Sequence, residues 1–320
     1  MTSTEKTMKE LAQEYLAFRR SLGFQLRVEG QQLLKFAEFV DRSDHSGPLT
    51  TELALRWACL PTGASPLYRA RRLEVVRGFA RFRAIFDDGT EIPAQRLLGE
   101  AHRRTAPHVY SDGEISDLLH AASRLSPHGG IRPRTFQTLF GLLASTGLRI
   151  SEALRLRLKD VDSNQQLLVI KETKFQKTRL VPLHPSVAAK LDSYIGFRDQ
   201  CVPLSESDTL FVSARGTALN YSTVRNTFRT LCKRLGWKPE DGRRRPRMYD
   251  LRHTFACRRL LQWYRDGIEI DHAISSLSTY MGHVKVTDTY WYLTGTPELF
   301  RVAAERFEQH FQTAGKETQS

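Results

Sequence analysis

Apolar residues recur at helical spacing throughout the first third of the chain. The pattern runs from Met8 to Asp41 with an interruption at Gly23, which predicts two helices joined by a turn. The pair Thr50–Thr51 precedes another apolar run and predicts a helix start, and an arginine-rich helix is expected from Leu67 to Phe86. Four helices in so short a stretch predict an all-α domain over residues 1–103.

The second part of the chain combines helical and strand-like patterns. Helical spacing occurs in four stretches, namely Ile115–Leu125, Thr135–Ser145, Glu152–Leu158 and Ser222–Leu235. The runs Leu167–Ile170 and Thr178–Leu183 are apolar and β-branched with a polar segment between them, which predicts a hairpin of two strands. A basic linker at Arg103–Pro107 separates the two parts. We therefore expect a mainly α protein with a small β-sheet, whose second domain is mixed α/β over residues 104–320.

Composition adds a strong positive charge to this picture. Lysine and arginine number 48 against 35 acidic residues, which gives a formal net charge of +13 and a pI near 9.8. This balance favours a polyanionic partner such as DNA, because each phosphate that is neutralised releases counterions. The candidate phosphate contacts lie on two predicted helices, Arg69, Arg72 and Arg77 on the first and Arg225, Arg229 and Lys233 on the second. A solvated charged face is the ordinary alternative for such residues.

Cysteine usage and hydropathy narrow the class of protein further. The 4 cysteines are scattered without metal-ligand spacing, and we expect them to be reduced, as in a cytoplasmic protein. The N-terminus lacks the apolar run of a signal peptide, and no stretch is long enough to span a bilayer. The sequence therefore predicts a cytoplasmic protein with no membrane partner and no cofactor.

Four polar clusters along the chain carry the candidate chemistry. They are Thr146–Glu152, Lys174 with the strand Thr178–Leu183, Tyr249–His253 and Tyr280–Tyr292. Arginines, a lysine, a histidine and a terminal tyrosine are the groups needed to attack a phosphodiester without a metal ion. A phenol can attack phosphorus and leave again, and the planar guanidinium group of arginine can donate to two phosphate oxygens.

In this order the clusters resemble the tyrosine recombinase (phage-type integrase) family, from about residue 106 to about residue 300. The resemblance implies a helical, SAM-like core-binding domain followed by the mixed α/β catalytic domain of that family. It also implies that Arg149, in Thr-Gly-Leu-Arg, and Arg252, in Asp-Leu-Arg-His, clamp the scissile phosphate. His283, in Met-Gly-His, would donate a hydrogen bond to that phosphate, and Tyr292 would be the nucleophile.

Two of the implied roles have rivals in the sequence. Lys174 stands where the family places its hairpin lysine and would protonate the leaving 5′ oxygen, but Lys171 and Lys177 are nearby competitors. Tyr290 is the rival of Tyr292, and only the spacing from the histidine argues against it.

One position departs from the commonest family pattern. Three residues before the second arginine, where histidine is usual, this chain has Tyr249. Tyrosine can donate a hydrogen bond to phosphate, but its reference pKa of about 10 makes it a poor base near neutrality. The base role would then fall to His253 or to solvent. Glu152, at the acidic position of the family, would orient its neighbours.

The resemblance implies a site-specific recombinase or integrase that cleaves and rejoins duplex DNA through a 3′-phosphotyrosine, without metal or ATP. Exchange between paired recombination sites would need four protomers, as a homotetramer or with related recombinases. Because the chain starts with the helical domain, no further arm-binding domain is expected. Two alternatives stay open: a type IB topoisomerase that relaxes DNA as a monomer, and a weakly catalytic DNA-binding subunit, which Tyr249 suggests.

The C-terminal segment carries one further expectation. Glu298–Phe311 reads as an amphipathic helix with Leu299, Val302 and two phenylalanines along one side. Such a helix would dock in a neighbouring protomer, as in the family, or pack on its own catalytic domain.

Overall fold

The computed structural model describes residues 6–43, 45, 47–102, 107–171, 178–201, 208–239 and 245–292. The chain divides into two compact units, Met1–Arg104 and Thr105–Ser320, and each has a hydrophobic core of its own. The predicted boundary after residue 103 falls beside this division.

The described part of the first unit is helical. Its helices are α1 (Met8–Ser21), α2 (Arg27–Asp41), α3 (Thr51–Cys59) and α4 (Pro66–Arg83). The hydroxyl groups of Thr7, Thr50 and Ser65 each accept a hydrogen bond from a backbone N–H in the first turn that follows, which fixes the start of α1, α3 and α4. Phe36 packs edge-on against Trp57 in the core between the helices. The helices therefore occupy the stretches with helical spacing.

The arginines at the candidate DNA-binding positions of α4 face inward more than the sequence predicts. Arg72 is 8% exposed; its guanidinium carbon lies 3.6 Å from the ring centroid of Trp57, and its Nη2 donates to the Trp57 carbonyl at 2.7 Å. These contacts hold α4 against α3, and the predicted contact of Arg72 with DNA stays untested. Arg77 donates to the carbonyl of Pro93 at 2.9 Å and Arg69 reaches another carbonyl at 3.5 Å, so their contact with DNA stays a prediction.

The described part of the second unit is mainly helical with a small sheet, as predicted. Its helices are α5 (Asp112–Ser123), α6 (Ile131–Thr146), α7 (Ile150–Ala153), α8 (Pro185–Cys201), α9 (Tyr221–Arg234), α10 (Asp250–Arg265), α11 (Ile270–Met281) and α12 (Thr287–Tyr290). The strands β1 (Val161–Asp162), β2 (Leu167–Ile170) and β3 (Arg179–Pro182) form an antiparallel sheet in the order β1-β2-β3. Ile170 lies opposite Arg179 in the β2–β3 ladder.

Two local predictions differ from the structure. The helix expected over Glu152–Leu158 is shorter, because α7 ends at Ala153 and a separate 3-10 turn follows at Leu158–Asp160. Strand β1 has no counterpart in the sequence prediction, since its two residues are too few to show strand alternation. No helix in the described ranges is long and apolar enough to cross a membrane.

Helix α6 anchors the part of the second unit that carries the polar clusters. It packs against α5, α8 and α10, and Phe136, Leu139 and Phe140 are at most 1% exposed. Burial of such side chains contributes roughly 1.5–3 kcal/mol each. This packing fixes the C-terminal end of α6, where the first polar cluster begins.

Candidate active site

The turn after α6 connects the two arginines of the family motifs. Gly147 ends α6 in the left-handed conformation (φ 63°), and a Cβ there would lie 2.5 Å from Cδ1 of Phe255. The Gly147 carbonyl accepts a hydrogen bond from Nη1 of Arg252 at 2.6 Å. Arg149 follows as the N-cap residue of α7. Glycine at position 147 therefore allows a tight turn whose carbonyl binds Arg252, two positions before Arg149 in the sequence.

The C-terminal end of α11 binds arginines from three other parts of the unit. Successive carbonyls accept one hydrogen bond each, Tyr280 from Nε of Arg179 at 2.8 Å, Met281 from Nη2 of Arg252 at 2.6 Å, and Gly282 from Nη2 of Arg149 at 2.9 Å. The carbonyl end of a helix carries partial negative charge, which favours these cations. Gly282 is left-handed (φ 67°), and a Cβ there would lie only 2.9 Å from Nη1 of Arg179. This helix end gathers positive charge next to His283.

Glu152 is the acidic partner of two of these arginines. It is 3% exposed, and its carboxylate accepts from Nη1 of Arg149 at 2.8 Å and from Nη1 and Nη2 of Arg179 at 3.1 and 2.9 Å. Burial favours a raised pKa, but the hydrogen bonds and charge of Arg179, together with hydrogen bonds from Arg149, lower the pKa of Glu152 to about 2. The carboxylate is therefore ionised at neutral pH and orients both guanidinium groups.

Arg252 is buried among these contacts. It is 2% exposed, and its Nη2 also lies 3.0 Å from Nε2 of His283. Burial, and then the charge of Arg149, lower the pKa of Arg252 from its ordinary value. Among the described residues its Nε has no hydrogen-bond partner. Neighbouring guanidinium groups with an unused donor make a site that favours an anion.

His283 is held in one tautomer by its neighbours. Burial, followed by the charges of Arg252 and Arg149, lowers the pKa of His283 to about 4, so the ring is neutral near pH 7. A guanidinium group has donors only, so Nε2 accepts from Arg252 and the proton resides on Nδ1. Nδ1 then donates to Oγ1 of Thr289 at 2.7 Å, and Thr289 is completely buried.

Tyr292 lies inside the site, whereas Tyr290 lies on the surface. Tyr292 is 3% exposed, and its ring centroid is 5.1 Å from that of His253 and 5.9 Å from that of His283. Burial raises the pKa of Tyr292 to about 12 against the opposing charge of Arg252, so the phenol is protonated at neutral pH. Tyr290 is 42% exposed. The geometry therefore favours Tyr292 as the tyrosine beside the arginines.

Tyr249 and His253 flank the same tyrosine in different environments. Tyr249, the N-cap residue of α10, is 48% exposed, and its ring centroid lies 4.9 Å from that of His253. His253 is 8% exposed, and burial lowers its pKa to about 4. Its Nδ1 has no hydrogen-bond partner in the described part of the chain. A neutral imidazole with an unpartnered nitrogen is chemically able to accept the proton of Tyr292.

The candidate general acid is less well defined than the arginines. Lys174 and Lys177 lie outside the described residues. Nζ of Lys171 lies 2.5 Å from Oδ1 of the buried Asp160, and this ion pair engages Lys171 outside the arginine cluster. The role of Lys174 as general acid stays a prediction.

The predicted basic face of α9 is present on the surface. Arg225, Arg229 and Lys233 are exposed, whereas Val224 and Phe228 are buried on the other side of the helix. The arrangement has the charge for phosphate contact, and a role in DNA binding stays a prediction.

The structure adds two residues that sequence reasoning did not select. Arg179 begins the Arg-Leu-Val-Pro-Leu strand, and Thr289 lies between the histidine and the tyrosine of the last motif. The signal in the sequence that could have identified Arg179 and Thr289 was that each lies within a motif that also contains a candidate catalytic residue or follows one closely. Neither residue type reveals its partner from spacing alone, because Arg179 meets Glu152 across 27 positions of sequence.

Comparisons with known proteins agree with this geometry. The model of the Phage integrase family matches residues 109–298. The putative integrase/recombinase y4rB of Sinorhizobium fredii (strain NBRC 101917 / NGR234) is 42% identical over 310 residues, which cover 96% of this chain and 98% of that protein. The tyrosine recombinase XerD of Caulobacter vibrioides (strain ATCC 19089 / CIP 103742 / CB 15) is 30% identical over 241 residues, which cover 72% of this chain and 71% of that protein.

A solved structure shares the fold. The Tn1549 transposon integrase, in complex with transposon right end DNA, has a TM-score of 0.69 at 16% identity, and the match covers 95% of this chain and 99% of that one. The chain therefore belongs to the phage integrase family and is a site-specific tyrosine recombinase. The resemblance in the motifs is confirmed, and the second unit has the catalytic fold of this family.

Proposed function

We propose that this recombinase cleaves and rejoins duplex DNA through a covalent bond between Tyr292 and a 3′ phosphate. The observation that carries the proposal is the burial of Tyr292 beside Arg252 and the two histidines. In the described site, the carboxylate of Glu152 pairs with the guanidinium groups of Arg149 and Arg179, and Arg252 adds a third positive charge nearby. The excess positive charge favours a phosphodiester next to the tyrosine.

The proposed reaction exchanges one phosphodiester for another. The Tyr292 oxygen attacks phosphorus, the bond from phosphorus to the 5′ oxygen breaks, and the phenol proton passes to an acceptor, for which Nδ1 of His253 is a candidate. Lys174 donates a proton to the leaving 5′ oxygen. Because the phosphotyrosine retains the energy of the broken bond, attack by a 5′ hydroxyl of a second duplex reverses the step and joins the strands.

The arginines stabilise the charge that develops on the phosphate. Arg149 and Arg252 donate to its non-bridging oxygens, and each donor is preorganised by a carbonyl of the α11 end. In the structure, Nε2 of His283 accepts a hydrogen bond from Nη2 of Arg252. A phosphate that engages Nη2 of Arg252 releases this nitrogen, and a proton taken up there allows His283 to donate to the same phosphate.

Duplex DNA with paired recombination sites is the proposed partner. The Tn1549 integrase structure contains transposon end DNA, which supports this choice by analogy of fold. Residues 1–103 would act as a core-binding domain and residues 104–320 as the catalytic domain, with Arg225, Arg229 and Lys233 contacting phosphates. Strand exchange would use four protomers, identical or related. Glu298–Phe311, which lies outside the described residues, would dock on a neighbouring protomer. Action in the cytoplasm without a cofactor stays a prediction.

The test uses nicked suicide duplexes cut from the DNA that flanks the gene. Wild-type protein should form a covalent adduct with one of them and exchange strands between paired sites. Relaxation of a plasmid by a monomer, without exchange, would instead indicate a type IB topoisomerase. Tight binding to the duplex without any adduct would indicate a DNA-binding subunit.

A further inference from the structure

Arg179 is assigned no contact with the phosphate in the proposed reaction, although it is built into the site. Its Nη1 and Nη2 both donate to the carboxylate of Glu152, and its Nε donates to the carbonyl of Tyr280. Its side chain is 11% exposed, against 29% for Arg149. The two arginines thus share one buried carboxylate from positions of different accessibility.

The net charge of the trio Arg149, Glu152 and Arg179 decides how much positive charge a bound phosphate meets. A buried carboxylate that pairs with one guanidinium group cancels most of its charge. Glu152 holds Arg149 by such a pair at 2.8 Å, so orientation of Arg149 would come with loss of its charge. With Arg179 as a second cation on Glu152, the trio keeps one net positive charge. Arg179 thus offsets the carboxylate while Arg149 stays oriented.

We propose that Arg179 is a positioning residue that balances the charge of Glu152, so that Arg149 is held in place and remains an effective cation for the scissile phosphate. The inference rests on the proposed role of Arg149 in phosphate binding. Arg179 acts through Glu152 and does not itself touch the DNA. If Arg179 only packed strand β3 against α11, removal of the charge of Glu152 would not restore the cleavage that is lost with Arg179.

Cleavage by single and double variants separates the two possibilities. Arg179→Met should lower the single-turnover rate on the suicide duplex at saturating protein, because Glu152 then neutralises Arg149. The double variant Arg179→Met/Glu152→Gln should cleave faster than Arg179→Met, since the excess negative charge is gone and the amide oxygen can still accept from Arg149. Arg179→Lys, which keeps the charge, should lie between Arg179→Met and the wild type.

A second readout needs no DNA and so stays informative if the wild type cleaves nothing. His283 reports the charge of the site, because the cations Arg252, Arg149 and Arg179 all lower its pKa. Its titration can be followed by NMR of ring-labelled histidine, assigned with a His283→Asn variant. The pKa of His283 should rise in Arg179→Met and fall again in Arg179→Met/Glu152→Gln. Simple loosening of the site would expose the ring and give the double variant a pKa at least as high as that of the single variant.

The matched control is Arg198→Met, which removes another buried arginine of the same unit. Arg198 donates to Asp199 and to the carbonyl of Thr209, neither of which belongs to the site. This variant should leave the titration of His283 unchanged. A shift like that of Arg179→Met would show that His283 responds to general destabilisation and would overturn the proposal.

Thermal stability of the variants provides a third test. A buried carboxylate left with one cation is more costly than a neutral amide, so the melting temperature lost in Arg179→Met should be partly regained in the double variant. If Arg179→Met fails to fold, the proposal requires that the double variant folds. A double variant that is unfolded, or that cleaves no faster and shows no lower His283 pKa than the single variant, refutes charge balance as the role of Arg179.

Discussion

Two buried arginines, one in each unit, make similar hydrogen bonds in different surroundings. Arg72 donates to the carbonyl of Trp57 and lies over its ring. Arg252 donates to the carbonyls of Gly147 and Met281. In addition, the charge of Arg149 lowers the pKa of Arg252, and the charge of Arg252 acts on Tyr292. Burial of an arginine therefore identifies no function by itself. Like charges held together beside a buried tyrosine are more informative, because an anion relieves their repulsion.

The largest expected effect distinguishes these two arginines directly. Arg252→Ala and Arg149→Ala should each lower cleavage roughly 10²–10³-fold, because each removes donors from the developing charge on the phosphate. Arg72→Met should lower the melting temperature but leave the cleavage rate of the folded protein within about threefold of wild type. Single-turnover cleavage below the melting point of every variant gives both numbers. Equal losses of cleavage for Arg72 and Arg252 would abolish the distinction.

The next effect tests whether a lysine completes the cationic site. Lys174→Ala should lower cleavage by about 10²-fold on ordinary DNA, the scale of general acid catalysis. The loss should recover on a duplex with sulfur in place of the bridging 5′ oxygen, since a thiolate leaves without protonation. Lys171→Ala is the matched control, because Lys171 pairs with Asp160. If the sulfur-containing duplex restored cleavage by Lys171→Ala and not by Lys174→Ala, Lys171 would be the general acid.

A smaller effect tests the orientation of His283. Thr289→Val removes the acceptor of the Nδ1 proton and leaves a buried donor unpaired, which should cost about 1–3 kcal/mol of stability. Cleavage should fall because the ring is free to adopt the other tautomer, and Thr289→Ser should restore both properties. Nitrogen NMR of the wild type should show the proton on Nδ1 above pH 5, since the pKa of His283 is about 4. A proton on Nε2 would contradict the assignment.

The sequence predicts more of the second unit than of the arginines in the first. The resemblance of its motifs to those of the family is enough to predict that Arg149, Arg252 and Tyr292 lie in one site, because members of a family share a fold. The inward position of Arg72 was also visible in principle, since it lies four residues before the buried Val76 and so on the apolar side of its helix. Arg179 could not be assigned, because the geometry of an ion pair between distant strands and helices leaves no periodic signal.

The smallest expected effect concerns the position where the family pattern changes. Tyr249→His should be tolerated, with cleavage equal to or moderately above wild type, because imidazole can both donate and accept a proton near neutrality. The exposure of Tyr249 gives the replacement room. A folded Tyr249→His protein that is inactive would show that the phenol itself is required. His253→Asn should lower cleavage in either background if His253 accepts the proton of Tyr292.

The most direct test of the account is the position of the covalent bond. Wild-type protein trapped on a suicide duplex should, after proteolysis and mass spectrometry, carry the nucleotide on the peptide that contains Tyr292, and on its phenolic oxygen. Tyr290→Phe should form the same adduct, whereas Tyr292→Phe should form none and still bind the duplex. The buried tyrosine beside Arg252 and the two histidines is then the nucleophile. An adduct on Tyr290, or one that survives in Tyr292→Phe, would contradict the central claim.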